Sequence, residues 1–332
     1  MKRNRYDSID GLKALAAIGI VLMHVKANNN YNISGFAYNK IIASLGNFIF
    51  LFMMISAFGL CCGYHEKMLI GNISVSDFYK KRIIKIWPFF GLLVLMDVIL
   101  SHSISALCEG FADLTLMFGF IPNEISVIGV GWFIGLIFIF YLAFPFFCFL
   151  TETKARAWAV FAASIVANII CANYFNLTGR NFLFSFCFFV AGGLIYLYKD
   201  KIEKINPWIA FILVCASIAV YYLFETTHLT ILLSFVCILI FAITYNGKLL
   251  NNPAAKFISG ISFEIYLSHM FIFRIIEKFK LNTVLNNDII QYILTSVMVL
   301  IGSVAFSVAV KYGFKFLSEK IIKRCKNENF NS

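Results

Sequence analysis

Apolar residues run along this chain in long blocks, without the strict alternation of a barrel strand. Ten blocks are nearly free of charge: about Leu12 to Val25, Ser44 to Gly63, Ile86 to Ile104, Trp132 to Leu150, Ala155 to Ala172, Phe182 to Tyr198, Trp208 to Phe224, Leu229 to Tyr245, Phe257 to Phe273 and Ile289 to Tyr312. About 20 apolar residues in a helix cross roughly 30 Å of hydrocarbon, so each block predicts a transmembrane helix. A membrane barrel would show period-two alternation, which the nearly unbroken apolar run Phe48 to Cys62 lacks. The expectation is an all-α, polytopic integral membrane protein with about ten transmembrane helices. Tyr64 to Lys85 and Ser105 to Gly131, the longest polar interruptions, are expected as a cytoplasmic and an external loop. Pro88, Pro122, Pro145, Pro207 and Pro253 fall near proposed span ends or in loops, which predicts spans free of forced kinks.

Composition agrees. The 332 residues are 61% hydrophobic and 14% charged, with a mean hydropathy of +0.83, where a soluble domain carries about 25% charged residues. Disorder and a secreted disulfide scaffold are thereby excluded. With the N-terminus inside, 22 of the 28 Lys and Arg fall in cytoplasmic segments and six outside, namely Lys26, Lys40, Arg180, Arg274, Lys278 and Lys280. That bias predicts an even number of spans with both termini cytoplasmic. It also accounts for most of the net charge of +11 without a nucleic-acid partner, because the basic residues are dispersed over short loops. The first block is expected to be a retained signal anchor, since no small-residue cleavage site follows it. Nine cysteines without C-x-x-C spacing, and five histidines on separate segments, predict neither a disulfide framework nor a metal site. The expected organisation is one integral domain over residues 1–315 and a basic cytoplasmic tail over 316–332. Lys311 to Lys326, with Phe314, Phe316, Leu317, Ile321 and Ile322 interleaved, reads as an amphipathic stretch on anionic lipid of the inner leaflet.

Candidate chemistry comes from ionisable groups where lipid penalises them. In the first block Asp10, Lys13 and His24 share one face at 100° per residue, and Lys13 and His24 are about 16 Å apart along the axis. Read from spacing alone, the alternative is an interfacial charge pair plus a histidine near the outer end. Ala14, Ala16, Ala17 and Gly19 on the same helix permit close packing. In the ninth block His269 reaches a similar depth to His24. Ser262, Tyr266 and His269 share a face there, with Glu264 on another side, and a pair of structural histidines is the alternative to a polar cavity. Arg82 and Lys85 fall on one helical face at the start of the third block, where they suit the phosphates of an anionic ligand or serve only as topology determinants. Trp132 opens the fourth block, at a position also natural for an interfacial belt residue.

Taken together these segments resemble the acyltransferase 3 family of bacterial integral-membrane O-acyltransferases. The pattern in that family, Asp, a basic residue, ten residues and His, stands here as Asp10-Gly11-Leu12-Lys13 followed by His24. Further matches are Arg82, Lys85 and Pro88, the Trp132-Phe133 pair with Tyr141 and Pro145, the segment Phe189 to Tyr196 with Gly192 and Gly193, and Ser262 to His269. The resemblance covers nearly the whole chain. Lys13 and Lys85 stand where Arg is commoner, which weakens bidentate phosphate binding. No periplasmic hydrolase-like extension follows the tenth block, so the standalone form of the family is expected.

The resemblance implies a multi-pass enzyme of the bacterial cytoplasmic membrane. It would move an acyl group, acetyl by default, from cytoplasmic acyl-CoA as co-substrate, with no permanently bound cofactor. The acceptor would be a hydroxyl of an extracytoplasmic glycan or glycolipid. Arg82, Lys85 and Lys13, with Trp132 and Tyr141, would bind the donor. His24 would act as general base or acyl carrier, with Asp10, Lys13, Tyr266 and His269 completing the catalytic set. A proton-coupled transporter using Asp97, Glu264, His24 and His269 is the alternative, and a sensory or scaffold membrane protein is a third reading.

Overall fold

A computed structural model describes residues 6–121, 129–224 and 227–328, with side chains described as far as Phe316 and at Glu319. Lys2, Arg3 and Arg5, Pro122, and the side chains of Leu317, Ile321 and Ile322 lie outside the described residues. The described chain is helical, without strands. The main helices are α1 (Asp7–Ala27), α2 (Ala37–Leu69, with π-type turns at both ends), α3 (Val75–Ser101), α4 (Ile104–Leu114), α5 (Trp132–Leu150), α6 (Lys154–Asn173), α7 (Phe182–Leu197), α8 (Pro207–Leu223), α9 (His228–Thr244), α10 (Pro253–Ser259), α11 (Ser262–Lys278) and α12 (Asp288–Glu328). Starts are set by side-chain caps: the Ser74 hydroxyl accepts the Asp77 amide, Asn181 caps α7, and Asn206 and Asn252 cap helices whose first residue is proline.

The packing is that of a bundle whose solvent is lipid. Helix α8 buries only Ala210 and Ser217, and α6 buries Ala157, Ser164, Asn168 and Cys171. Their large apolar side chains, including Ile212, Leu213, Trp158 and Val166, point outward. In water that arrangement would expose an apolar surface far larger than monomeric soluble proteins tolerate. Between helices, aromatic stacks such as Phe140 on Phe189 and Phe50 on Phe188 are joined by polar contacts of the kind membrane packing favours. Ser234 donates to the Ser217 carbonyl across α8 and α9, and Asn168 donates to the Phe184 carbonyl across α6 and α7.

Six helical stretches are long and apolar enough to cross a membrane: α1, α2, α3, α5, α6 and the Asp288–Phe316 part of α12. Helices α7, α8, α9 and α11 are shorter, at 16 or 17 residues. The ninth predicted block is not one helix. Gly260 and Ile261 interrupt it between α10 and α11, Ile261 leaves helical dihedrals, and the Gly260 carbonyl accepts the Lys311 ammonium of α12 instead of an amide.

Two other expectations are corrected. The polar interruption after α2 is only residues 70–74, because the Ser74 cap starts α3 eleven residues before the predicted span and its charged first turns continue as helix. Pro88 and Pro145 lie inside α3 and α5, where each removes a backbone donor from the helix ladder. The expected external loop contains α4, which folds back along α3: the Trp87 indole donates to the Leu114 carbonyl, and Gly110 sits against Val98.

Helix α1 is the hub, packing on α2, α9, α10, α11 and α12. Its small residues permit this. Ala16 and Ala17 are fully buried, a Cβ on Gly11 would lie 2.4 Å from the Leu250 carbonyl oxygen, and one on Gly19 would strike the Phe48 ring.

Candidate active site

Helix α1 runs beside α10 and α11, and its polar residues meet α10 at one level and α11 at another. At the foot of α1, Asp10 accepts the Ser259 hydroxyl at 2.8 Å and faces the Lys13 ammonium at 3.5 Å. Lys256 of α10 reaches Asp7 at 3.0 Å. These contacts fasten the foot to α10 just before the helix break, so Asp10 and Lys13 belong to a cross-linked layer.

About 16 Å further along α1, the His24 and His269 rings meet, with centroids 4.8 Å apart and planes inclined by 56°. His269 is completely buried. Each Nδ1 is hydrogen-bonded to a carbonyl of its own helix, His24 to Ile20 at 3.0 Å and His269 to Ile265 at 3.3 Å. A carbonyl oxygen only accepts, so each Nδ1 carries the proton and donates it. In the neutral ring that leaves the lone pair on Nε2. The buried Nε2 of His269 has no hydrogen-bond partner among the described residues. An unpaired buried acceptor is costly, and a catalytic role is a recognised reason for one.

Tyr266 stands one turn below His269, with ring centroids 5.9 Å apart. Its hydroxyl donates to the Val130 carbonyl at 2.8 Å, and its ring packs edge-on against Phe133. The segment Gly129-Val130-Gly131 that opens α5 is thereby brought to the histidines. Trp132 follows it, with the Arg180 guanidinium 5.7 Å from its ring centroid.

A second assembly forms where α2, α3 and α5 meet. The Arg82 guanidinium carbon lies 5.0 Å from the Tyr64 ring centroid and 5.9 Å from those of Phe78 and Tyr141, and Nη2 donates to the Tyr64 hydroxyl at 2.9 Å. Three aromatic faces hold a cation at attractive range. The buried Nε of Arg82 has no hydrogen-bond partner among the described residues. Lys85 is exposed, one helical turn on.

The structure therefore joins His24, His269 and Tyr266, joins Arg82 to Tyr141 with Lys85 beside Arg82, and places Asp10 and Lys13 in the layer below the histidines. Trp132 and Tyr141 are not brought together. Nine residues of α5 separate them, about 14 Å of rise, and Trp132 stands at the Val130 and Tyr266 end. Sequence reasoning missed Tyr64, Ser259, Arg180 and Lys311. Lys311 and Arg180 were legible only as topology charges and Tyr64 as the first residue of a polar interruption, because each acquires its role from a residue far away in the chain.

No curated protein and no solved structure matches the chain. The model of one family, described as an acyltransferase domain, matches residues 6–310, which include both the histidine pair and the Arg82 assembly. With all but the ends of its 332 residues covered, the chain belongs to the acyltransferase 3 family.

Proposed function

We propose that this membrane acyltransferase moves an acyl group, acetyl by default, from cytoplasmic acyl-CoA to a hydroxyl of an extracytoplasmic glycan or lipid-linked saccharide, working in a bacterial cytoplasmic membrane with about ten spans and both termini inside. The observation that carries the reading is the contact between His24 and His269, with the buried His269 Nε2 left unpaired. Two Nδ1-protonated imidazoles, one of them fully buried, supply proton-accepting nitrogens, which is what activation of a hydroxyl requires.

In this mechanism the donor phosphates lie at Arg82 and Lys85, whose positive charges complement them. Lys13 extends the cationic surface at the foot of α1. The pantetheine arm carries the thioester to the histidines. His24 Nε2 takes the proton of the acceptor hydroxyl as its oxygen bonds to the acyl carbon. The C–S bond then breaks, and the proton passes from the imidazolium to the departing thiolate. Should His24 carry the acyl group, its Nε2 bonds to the acyl carbon as the C–S bond breaks and the thiolate leaves; the acceptor oxygen then bonds to that carbon as the N–C bond breaks, and the hydroxyl proton passes to the thiolate. Asp10 orients Lys13, and Tyr266 and His269 position the acceptor beside the thioester. The transporter reading is less well supported, because Asp97, one of its four proposed relay groups, is neutralised by Arg274 at 3.0 Å.

Mass analysis of surface polysaccharide from cells with and without the protein tests the reading. The expected result is a glycan lighter by one acyl unit in cells lacking it. Identical glycans, together with proton-coupled flux through the purified protein, would overturn it.

A further inference from the structure

At the far end of α3 from Arg82, a cavity of about 270 Å³ opens between the α3–α4 turn and α11. Its polar lining comprises Asp97, Ser101, Ser103, Ser105, Glu109 and Arg274. Asp97, mostly buried, is paired with Arg274 at 3.0 Å, and Glu109 accepts the Ser105 hydroxyl at 3.1 Å. The turn is tightly set: His102 is left-handed, with a φ of 47°, and the Ser103 hydroxyl caps α4 by accepting the Ala106 amide. None of these residues takes part in the histidine pair or the Arg82 assembly.

The chemistry of the lining favours a neutral polyol. Two carboxylates and one guanidinium leave a single net negative charge, which disfavours an anion. Carboxylates accept hydroxyl donors in pairs, and serine hydroxyls and a guanidinium give and take the remaining hydrogen bonds. The volume sits at the low end of small-molecule sites, suited to one ring and not to an extended chain.

The cavity also adjoins the part of α11 next to His269. Asp97 and Arg274 are shared with a neck lined by Leu93, Gly129, Leu267, Met270 and Phe271. Leu267 lies between Tyr266 and His269 in α11, and Met270 directly follows His269. The Met270 sulfur lies 4.0 Å from the Asn28 amide, which itself donates to the His24 carbonyl. The neck encloses only about 20 Å³, little more than one water needs. Met270, unbranched and flexible, is the neck residue best able to swing aside.

Resting on the proposed acyl transfer to an extracytoplasmic saccharide, we propose that this cavity is the acceptor subsite: it holds one uncharged sugar ring by Asp97, Arg274, Glu109 and the serines, while a hydroxyl-bearing arm passes the Met270 neck to His24.

The test uses the full chain in proteoliposomes with acetyl-CoA and a panel of methyl glycosides of neutral hexoses, N-acetylhexosamines and uronic acids. Thiol release and acylated glycoside are followed separately. For the wild type, acylation of a neutral glycoside and not of the uronic acids is expected. Asp97→Asn and, independently of the ion pair, Glu109→Gln and Ser101→Ala should raise the KM for that glycoside, by tenfold or more for Asp97→Asn, without moving the KM for acetyl-CoA. A glycoside KM unchanged in all three variants, or donor and acceptor KM rising together, would overturn the assignment. Thiol release with only uronic acids, or no glycoside at all, acylated would overturn it while leaving an acyl-CoA-dependent enzyme in place. Absence of both thiol release and product would instead sink the functional reading on which it rests.

Discussion

The foot and the head of α1 face the same neighbouring segment and are treated oppositely. At the foot, Asp10 takes a serine hydroxyl and a lysine ammonium, and Asp7 takes a second lysine from α10. At the head, His24 and His269 touch ring to ring, each secured through Nδ1 alone, and His269 Nε2 is buried with nothing to bond. The foot is polar chemistry used to hold two helices in register. The head is polar chemistry held in place and left unspent. Satisfied groups stabilise, whereas an unsatisfied one persists only where the surrounding structure forces it to, which is the usual mark of a functional site.

That contrast can be broken by substitution. The largest effect is expected at the head: His269→Ala should lower turnover on the order of a hundredfold or more, the range for removal of a positioned acid or base, while detergent-solubilised protein keeps its thermal midpoint. A loss of stability equal to the loss of rate would make His269 structural. Arg82→Gln comes next. Loss of a charged hydrogen-bonding partner, about 1.5–3 kcal/mol, should raise the KM for acetyl-CoA roughly ten- to a hundredfold and leave the acceptor KM alone. Smallest is Ser259→Ala at the foot, which removes one hydrogen bond to a charged group. It should destabilise by about 1.5–3 kcal/mol, visible in the thermal midpoint, with both KM values unmoved. A KM change there would show that the foot contacts substrate.

Much of the head was legible in the sequence, because helical periodicity is a local property. The Lys13 to His24 spacing fixed a shared face, and similar depths for His24 and His269 pointed to one layer of the bundle. What periodicity cannot say is which helices are neighbours, and the 4.8 Å ring contact needed the packing of α1 on α11. The same limit hid Tyr64 from Arg82 and Arg274 from Asp97, pairs that are 18 and 177 residues apart. Hydropathy marked where apolar stretches lie but not where helices end. Ser74 extends α3 well beyond its apolar block, and the Lys311 contact with the Gly260 carbonyl stabilises a break inside one.

The most direct measurement is thiol release and acyl transfer from acetyl-CoA by His24→Ala in proteoliposomes, beside the wild type at equal inserted amount. The account predicts that the variant folds and inserts normally but that transfer falls at least about a hundredfold. Transfer at the wild-type rate would contradict it, since no imidazole at the head of α1 would then be needed for the chemistry.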